Sequence, residues 1–426
     1  MPKIARLRGL EILDSRGRPT VKAVCDLEGG AVGSASVPSG ASTGAAEALE
    51  LRDGDADRYD GLGCRKAAGN VSGTLNDSFK ERSFERQEDL DQAMVELDGT
   101  DNKSWLGANA ILAVSLAFAR AGAIERRIPL YEHFADMLGH TPAALPRPTI
   151  NLFSGGKHAG EQIPIQDNLV APLSAPTIDE TLSTTYAVYQ AAASLARDRY
   201  DMRSLTADEG GLAPPFANAE EMLRAAVEAI ELAGFEPGRD VALTVDVASS
   251  HFYRDGGYHL GDKPLDAGGM IEYVSSWLDS YPIISVEDGL SEDDWENWRR
   301  LRERVSGRAL TLGDDLLCTN PVRIRRAVQS GAADALLLKV NQVGTLTEAA
   351  EALGVARDAG WTVTVSARSG ETEDNWLADL AVGWGGDQIK IGSITQSERL
   401  AKYNRLLEIE TETGLPLAGW HDKLLG

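Results

Sequence analysis

From about residue 149 onward, short apolar runs alternate with amphipathic segments to the end of the chain. The runs are 150–153, 165–170, 241–245, 283–286, 310–312, 336–338, 362–365 and 388–391. Apolar runs of this length, bounded by turn residues, read as strands buried on both faces. Between them, 179–197, 219–233, 270–278, 293–305, 345–359 and 396–414 carry apolar residues at helical spacing. Eight runs with intervening helices predict a β/α barrel. A doubly wound open sheet is the rival. That fold usually shows a Gly-rich fingerprint after its first strand. Gly155-Gly156-Lys157-His158 does not match it.

The first part of the chain has a different texture. Val21, Ala23, Cys25 and Leu27 alternate with Lys22, Val24 and Asp26, which suits a half-buried strand. Glu28-Gly29-Gly30 reads as a turn, and a second strand runs toward Val37, so residues 1 to about 60 predict a small antiparallel sheet. Pro38 to Gly44 is a loop of small residues and hydroxyls, suited to a mobile lid whose amides and hydroxyls meet an anion or a metal. Segments 89–97 and 107–124 read as packed helices. Pro142, Pro146 and Pro148 mark the boundary. The expected organisation is an N-terminal α+β capping domain over 1–140 and a catalytic barrel over 141–426.

Charge and composition narrow the function. The net charge of −23 leaves no basic footprint for nucleic acid. No run of eighteen apolar residues predicts a membrane span, and the N-terminus lacks an apolar signal core, so a cytoplasmic protein is expected. Cys25, Cys64 and Cys318 are too few and too scattered for a disulfide framework or a zinc site. They read as small packing residues.

In a barrel, the C-terminal strand ends share one rim, and chemistry sits there. Those ends carry Asp246, Glu287, Asp314, Lys339, Ser366 with Arg368, and Lys390. From Glu287 to Lys390 they recur every 24 to 27 residues, one strand–helix unit each. Three carboxylates from neighbouring strands suit a hard cation such as Mg²⁺, and no paired His/Cys spacing suggests zinc. A cation beside Lys339 would lower its pKa and let it act as a base. A divalent ion also stabilises the enolate left when a proton is taken from beside a carboxylate. Arg368 and Lys390 suit an anionic substrate. The best proton donor is the pair Asp208-Glu209 before Gly210-Gly211, where one carboxyl can sit in a pocket with a raised pKa.

These residues resemble the enolase family, and the likeness spans essentially the whole chain. It rests on Asp14-Ser15-Arg16-Gly17, Ser39-Gly40-Ala41-Ser42-Thr43-Gly44, Gly107-Ala108-Asn109-Ala110, Asp208-Glu209-Gly210-Gly211, Ser285-Val286-Glu287-Asp288-Gly289, Leu338-Lys339-Val340-Asn341-Gln342, Arg368-Ser369-Gly370-Glu371 and Gln388-Ile389-Lys390. The resemblance implies an enolase-type β/α barrel, with its second strand antiparallel, under an α+β capping domain. It implies one or two Mg²⁺ ions, with Asp246, Glu287 and Asp314 holding the first and Ser42 meeting a second. Lys339 would be the base and Glu209 the acid or its relay, a pairing of lysine and Mg²⁺ for which the enolase superfamily is itself the standing example. His158, Gln166, Arg368, Ser369 and Lys390 would contact a small phospho-carboxylate. Enolases are generally dimers or larger, and Asp14 to Arg16 lies in a region used at that contact.

Several positions depart from the family pattern. Ala367 stands where enolases carry a substrate-contacting histidine. Asp167-Asn168 replaces Glu-Phe after Gln166. Ala207 replaces a glycine, Thr43 to Glu47 lacks the usual His or Arg, and Lys157 is a cation where the family has an uncharged or acidic residue. Because the departures cluster, the expected function is a specialised enzyme similar to carboxyphosphonoenolpyruvate synthase of phosphinothricin-type antibiotic pathways. Such an enzyme takes a second anionic reactant, CMP-phosphonoformate. A glycolytic enolase is the alternative, and a non-catalytic relative the third reading.

Overall fold

The computed structural model describes residues 2–41, 44–201, 203, 205–261 and 263–420. Near the N-terminus, β1 (Ile4–Leu13), β2 (Pro19–Leu27) and β3 (Val32–Ser36) form an antiparallel sheet in that order. As the middle strand, β2 is more buried than simple alternation predicts. Val24 is buried with its neighbours, and only Lys22 and Asp26 reach toward solvent. The helix Ala108–Arg126 lies across this sheet. It is long and apolar enough to cross a membrane, but 83% of that stretch is buried inside the protein, so it is a core helix.

The predicted strands are all present. The barrel strands are β4 (Arg147–Ser154), β5 (Asp167–Pro172), β6 (Val241–Asp246), β9 (Ile283–Glu287), β10 (Leu310–Gly313), β11 (Ala335–Leu338), β12 (Thr362–Ser366) and β13 (Gln388–Gly392). A short hairpin, β7 (Tyr253–Arg254) and β8 (Gly257–Tyr258), stands outside the barrel. The barrel closes in the order β10-β11-β12-β13-β4-β5-β6-β9. Only β5 is antiparallel to its neighbours β4 and β6. Its direction has a consequence for the site. Seven strands bring their C-terminal ends to one rim, and β5 brings its N-terminal end, with Gln166 and Asp167, to the same place.

The capping domain is fastened to the barrel by buried and half-buried polar contacts. Lys103 Nζ pairs with Glu348 at 2.7 Å, and Arg120 with Asp374 at 2.7 Å. Asp91, only 1% exposed, accepts from the Thr347 amide (3.0 Å), the Thr347 hydroxyl (2.7 Å) and Gln87 Nε2 (2.9 Å). All three donors favour its ionised form, but burial outweighs them and raises its pKa to about 6. The unfolded value is near 3.9. A carboxyl raised on folding costs stability once both states are ionised, so stability falls as pH rises from about 4 to about 6. The cost is up to about 3 kcal/mol at pH 7. Asp91→Asn removes the charge, and Gln87 Oε1, which has no partner among the described residues, can then accept from the new amide. Urea unfolding at several pH values is expected to show the wild type losing stability relative to Asp91→Asn across this window. Parallel pH profiles would refute the account.

Candidate active site

Lys339 follows β11 directly. Ala335 to Leu338 are buried on both faces, so the strand carries the ammonium to the rim along a dry path. There Lys339 Nζ donates to Asp314 Oδ2. Gln342 Nε2 holds the other Asp314 oxygen at 2.9 Å, and Thr319 Oγ1 donates to Gln342 Oε1 at 2.6 Å while accepting from the Lys339 amide at 2.9 Å. The lysine and its acid are therefore fixed by one connected network.

Asp246 and Glu287 end neighbouring strands and are register partners. Lys390, on β13, crosses the barrel mouth to both. Its Nζ lies 2.9 Å from Asp246 Oδ2 and 2.9 and 2.8 Å from the two Glu287 oxygens. Gln166 Nε2 adds a contact to Asp246 at 3.2 Å. Burial works against the charge on Asp246, but Lys390 outweighs it and holds the carboxyl at about 2. Glu287 goes the other way. Burial, then the neighbouring Asp246 charge, push it well above the ordinary carboxylate range. Three buried carboxylates thus share two ammonium groups, and one of the acids is left poorly compensated. Their oxygens are of the kind a hard cation such as Mg²⁺ takes. Asp314 also belongs to a compact acidic group with Asp288 and Asp315, whose carboxylate oxygens lie within 4.8 Å of one another and could hold an ion. Asp288 accepts from the amides of Asp314 (3.0 Å) and Asp315 (2.7 Å), so it clamps the loop after β10.

Glu209 enters from the loop before the helix Ala219–Leu232. Gly210 has φ +85°, and a Cβ there would lie 2.5 Å from Thr395 Oγ1. A Cβ on Gly211 would lie 2.5 Å from Ser154 Oγ. The two glycines therefore let the loop turn tightly and press onto β4. The Ser393 amide donates to the Glu209 carbonyl at 2.8 Å, and Asn151 Nδ2 to Glu209 Oε2 at 3.0 Å. His158 Nε2 stands 3.9 Å from Glu209 Oε1, and its Nδ1 is 2.9 Å from Asp167 Oδ2. Ser154 Oγ donates to Asp167 Oδ1 at 2.6 Å.

Two expectations about charge are corrected here. The pocket does not raise the pKa of Glu209. Burial acts in that direction, but His158, Arg399, Lys390 and Lys339 together outweigh it and lower the value. The proton sits on the neighbouring ring instead: burial disfavours charged His158, yet Asp167 and Glu209 raise it to about 9. Lys339 is likewise raised rather than lowered, because Asp314 outweighs the cost of burial. The lowering expected for Lys339 required a cation that these acids could hold.

Arg368 is buried among acceptors. Its Nη1 donates to Glu47 Oε2 and Asn341 Oδ1, each at 3.0 Å, and its Nη2 to Glu47 Oε1 at 3.3 Å. Ser369 Oγ accepts from Arg16 Nη1 at 3.0 Å, and Arg16 in turn pairs with Asp14 at 3.0 Å. The Asp14–Arg16 turn thus braces the substrate-side loop of its own chain. Ser39 and Gly370 exchange backbone bonds of 2.8 and 2.9 Å, which anchors the base of the Ser39–Gly44 loop. Ser42 lies outside the described residues.

These groups converge on one cleft, with His158, Gln166, Glu209, Asp246, Lys339, Ala367, Arg368, Ser369 and Lys390 in its walls. Glu287 and Asp314 stand behind Lys390 and Lys339. Gln166 Oε1, Asn151 Oδ1 and Asn341 Nδ2 are buried with no partner among the described residues, so the walls hold hydrogen-bonding capacity in reserve. Two of the divergent positions are not in the wall. Asp167 is fully buried behind His158, and Lys157 is on the far side of the turn that carries His158. Glu47, Gln342 and Asn151 escaped the sequence reading as site residues. For Glu47 the only signal was an acid three residues beyond the lid loop. For Gln342 it was the polar pair after Lys339.

The cleft therefore brings Lys339, the His158–Glu209 pair and Asp246 together. Two family models match the chain: the enolase N-terminal domain over residues 4–134 and the enolase C-terminal TIM barrel domain over 142–420. Together they span nearly all of it, and the chain belongs to the enolase family.

Proposed function

We propose that this enolase-superfamily enzyme abstracts the proton beside the carboxylate of a 2-phosphoglycerate-like substrate and uses the resulting enolate in a coupling reaction similar to that of carboxyphosphonoenolpyruvate synthase. Lys339 is the base. It lines the cleft, and its bond to Asp314 behind it fixes the ammonium nitrogen there. Asp246, Glu287 and Asp314 would hold Mg²⁺, which supplies charge stabilisation for an enolate when bound. His158 and Glu209, 3.9 Å apart, hold and move the proton on the opposite face. Arg368, Ser369 and Lys390 hold the anionic groups of the substrate, and Gln166 orients them.

The observation that carries the specialised reading is Ala367. It lines the cleft between Ser366 and Arg368 with only a methyl group, where the family's enolases place a histidine. Deleting one donor to a developing charge costs on the order of 10² to 10³ in rate. A site with Lys339 and the acid cluster in place, but without that donor, suits enolate formation better than fast dehydration. The space is open to a second anionic reactant such as CMP-phosphonoformate.

Purified protein with 2-phosphoglycerate and Mg²⁺ is expected to form phosphoenolpyruvate slowly. Adding CMP-phosphonoformate is expected to transfer its phosphonoformyl group to an oxygen of the three-carbon unit, breaking the P–O bond to CMP, so that a new phosphorus resonance and free CMP appear in equal amounts. Dehydration at rates normal for glycolytic enolases, with no new product, supports the alternative of a glycolytic enolase.

A further inference from the structure

One short turn, Gly156–Ala159, separates the cleft from a second cavity. His158 faces the cleft, while its neighbour Lys157 lines an open recess of about 160 Å³ together with Glu161, Pro164, His251, Phe252 and Arg254. The wall between them is thin. A Cβ on Gly156, which lines the recess, would lie 3.1 Å from the Cα of Gln166, which lines the cleft.

The polar groups of the recess are unspent. Among the described residues, neither the Lys157 ammonium nor the Arg254 guanidinium has a carboxylate partner within salt-bridge distance. Both side chains are exposed. His251 Nδ1 is buried and has no hydrogen-bond partner among the described residues. Burial, then the nearby Lys157 charge, hold its ring neutral, with a pKa of about 4. Two cations and an imidazole around one concavity are the elements of a phosphoryl or phosphonyl dianion site. Phe252 and Pro164 give the same recess an apolar wall, and the Glu161 carboxylate can accept from hydroxyl groups. This suits an anion that carries a polar organic group more than a bare ion.

We propose that this recess is a subsite for a second organophosphorus anion, a phosphate or phosphonate ester bearing a hydroxylated organic group, held beside the primary substrate. The inference rests on the reading that the enzyme joins two reactants. It adds that Lys157 and Arg254 hold the far phosphoryl end of that reactant outside the barrel rim, beyond the His158 turn, while its reacting end enters the cleft beside Ala367. Lys157 is then a specificity residue through this recess and not through the cleft.

Calorimetry on the full chain with Mg²⁺ tests it, using cytidine 5′-monophosphate and inorganic phosphate as probes. The nucleotide is expected to bind with one site per chain in the presence of saturating 2-phosphoglycerate. Inorganic phosphate is expected to bind more weakly at the same place and to compete with it. Lys157→Ala/Arg254→Ala is expected to weaken the nucleotide by at least about 10-fold, and Arg254→Lys to restore part of the loss. Since both residues are exposed, an unchanged melting temperature checks that the variants fold. Displacement of the nucleotide by 2-phosphoglycerate, or equal binding by wild type and double variant, overturns the subsite. Failure of 2-phosphoglycerate to bind at all counts against the two-reactant reading, and the variant comparison still decides the subsite.

Discussion

Lys339→Ala is expected to slow deuterium exchange at the carbon beside the carboxylate of 2-phosphoglycerate by about 10² to 10⁴-fold, the contribution of a positioned general base. The side chain's surroundings make the experiment specific. Lys339 is bonded to Asp314, whose other oxygen is held by Gln342 at 2.9 Å. Removing the ammonium leaves a buried carboxylate with one neutral donor. Breaking a buried ion pair from one side typically costs about 3–5 kcal/mol, so the alanine variant is also expected to melt lower without Mg²⁺. That loss complicates a bare activity assay. Lys339→Arg separates the two effects. Arginine keeps the positive charge beside Asp314 but stays protonated at all accessible pH values, so it cannot serve as the base. The arginine variant is expected to recover most of the melting temperature and none of the exchange. Recovery of exchange together with stability would assign Lys339 a purely electrostatic role and end the case for it as the base.

The barrel was legible because its strands are buried on both faces. Leu336, Leu337 and Leu338 are fully buried, as are most residues of the other seven strands, so each read as a short apolar run. The same property concealed strand direction. A doubly buried strand looks alike in sequence whichever way it runs, and the reversal of β5 came from family resemblance, not from its pattern. The hairpin β7–β8 was missed because two-residue strands carry no period. The helices Pro321–Ser330 and Trp376–Gly383 were missed for different reasons. The first is arginine-rich with a thin apolar face, and the second is apolar all round because it is buried.

The site divided along a similar line. Residues at strand ends, Asp246, Glu287, Asp314, Lys339 and Lys390, could be found by counting strand–helix units. Partners that reach the rim from loops could not, because their positions depend on how the capping domain closes. Glu47 meets Arg368 across 321 residues of chain. The charge state of Glu209 is not encoded locally for the same reason. Its lowered pKa is set by cations on four separate segments, the His158 turn, β13, the end of β11 and the helix Ser397–Thr413. No local motif encodes that sum.

Ala367→His tests the specialised reading directly. The backbone at this position is pinned, since the Ala367 amide donates to the Lys390 carbonyl at 2.9 Å and the Ser366 hydroxyl donates to the Ala367 carbonyl at 2.9 Å. A longer side chain therefore projects into the same cleft that the methyl group lines. An imidazole there adds a donor to the anionic substrate, and restoring one such donor is expected to raise dehydration of 2-phosphoglycerate by about 10²-fold. The same ring fills the space available to a second reactant, so coupling to CMP-phosphonoformate is expected to fall. Opposite movement of the two rates is the signature, because simple repair of a drifted enolase would raise the first without any coupling to lose. The gain is expected to be incomplete. Asp167 is one methylene shorter than the family's glutamate and remains bound to Ser154 and His158 at 2.6 and 2.9 Å, so the proton-handling pair is unchanged by the substitution. Adding Asp167→Glu to Ala367→His is expected to exceed the single change, since position 167 acts through His158 and not through the donor restored at 367, so the two effects are separate. A dehydration rate that stays flat in both variants would overturn the specialised reading of Ala367.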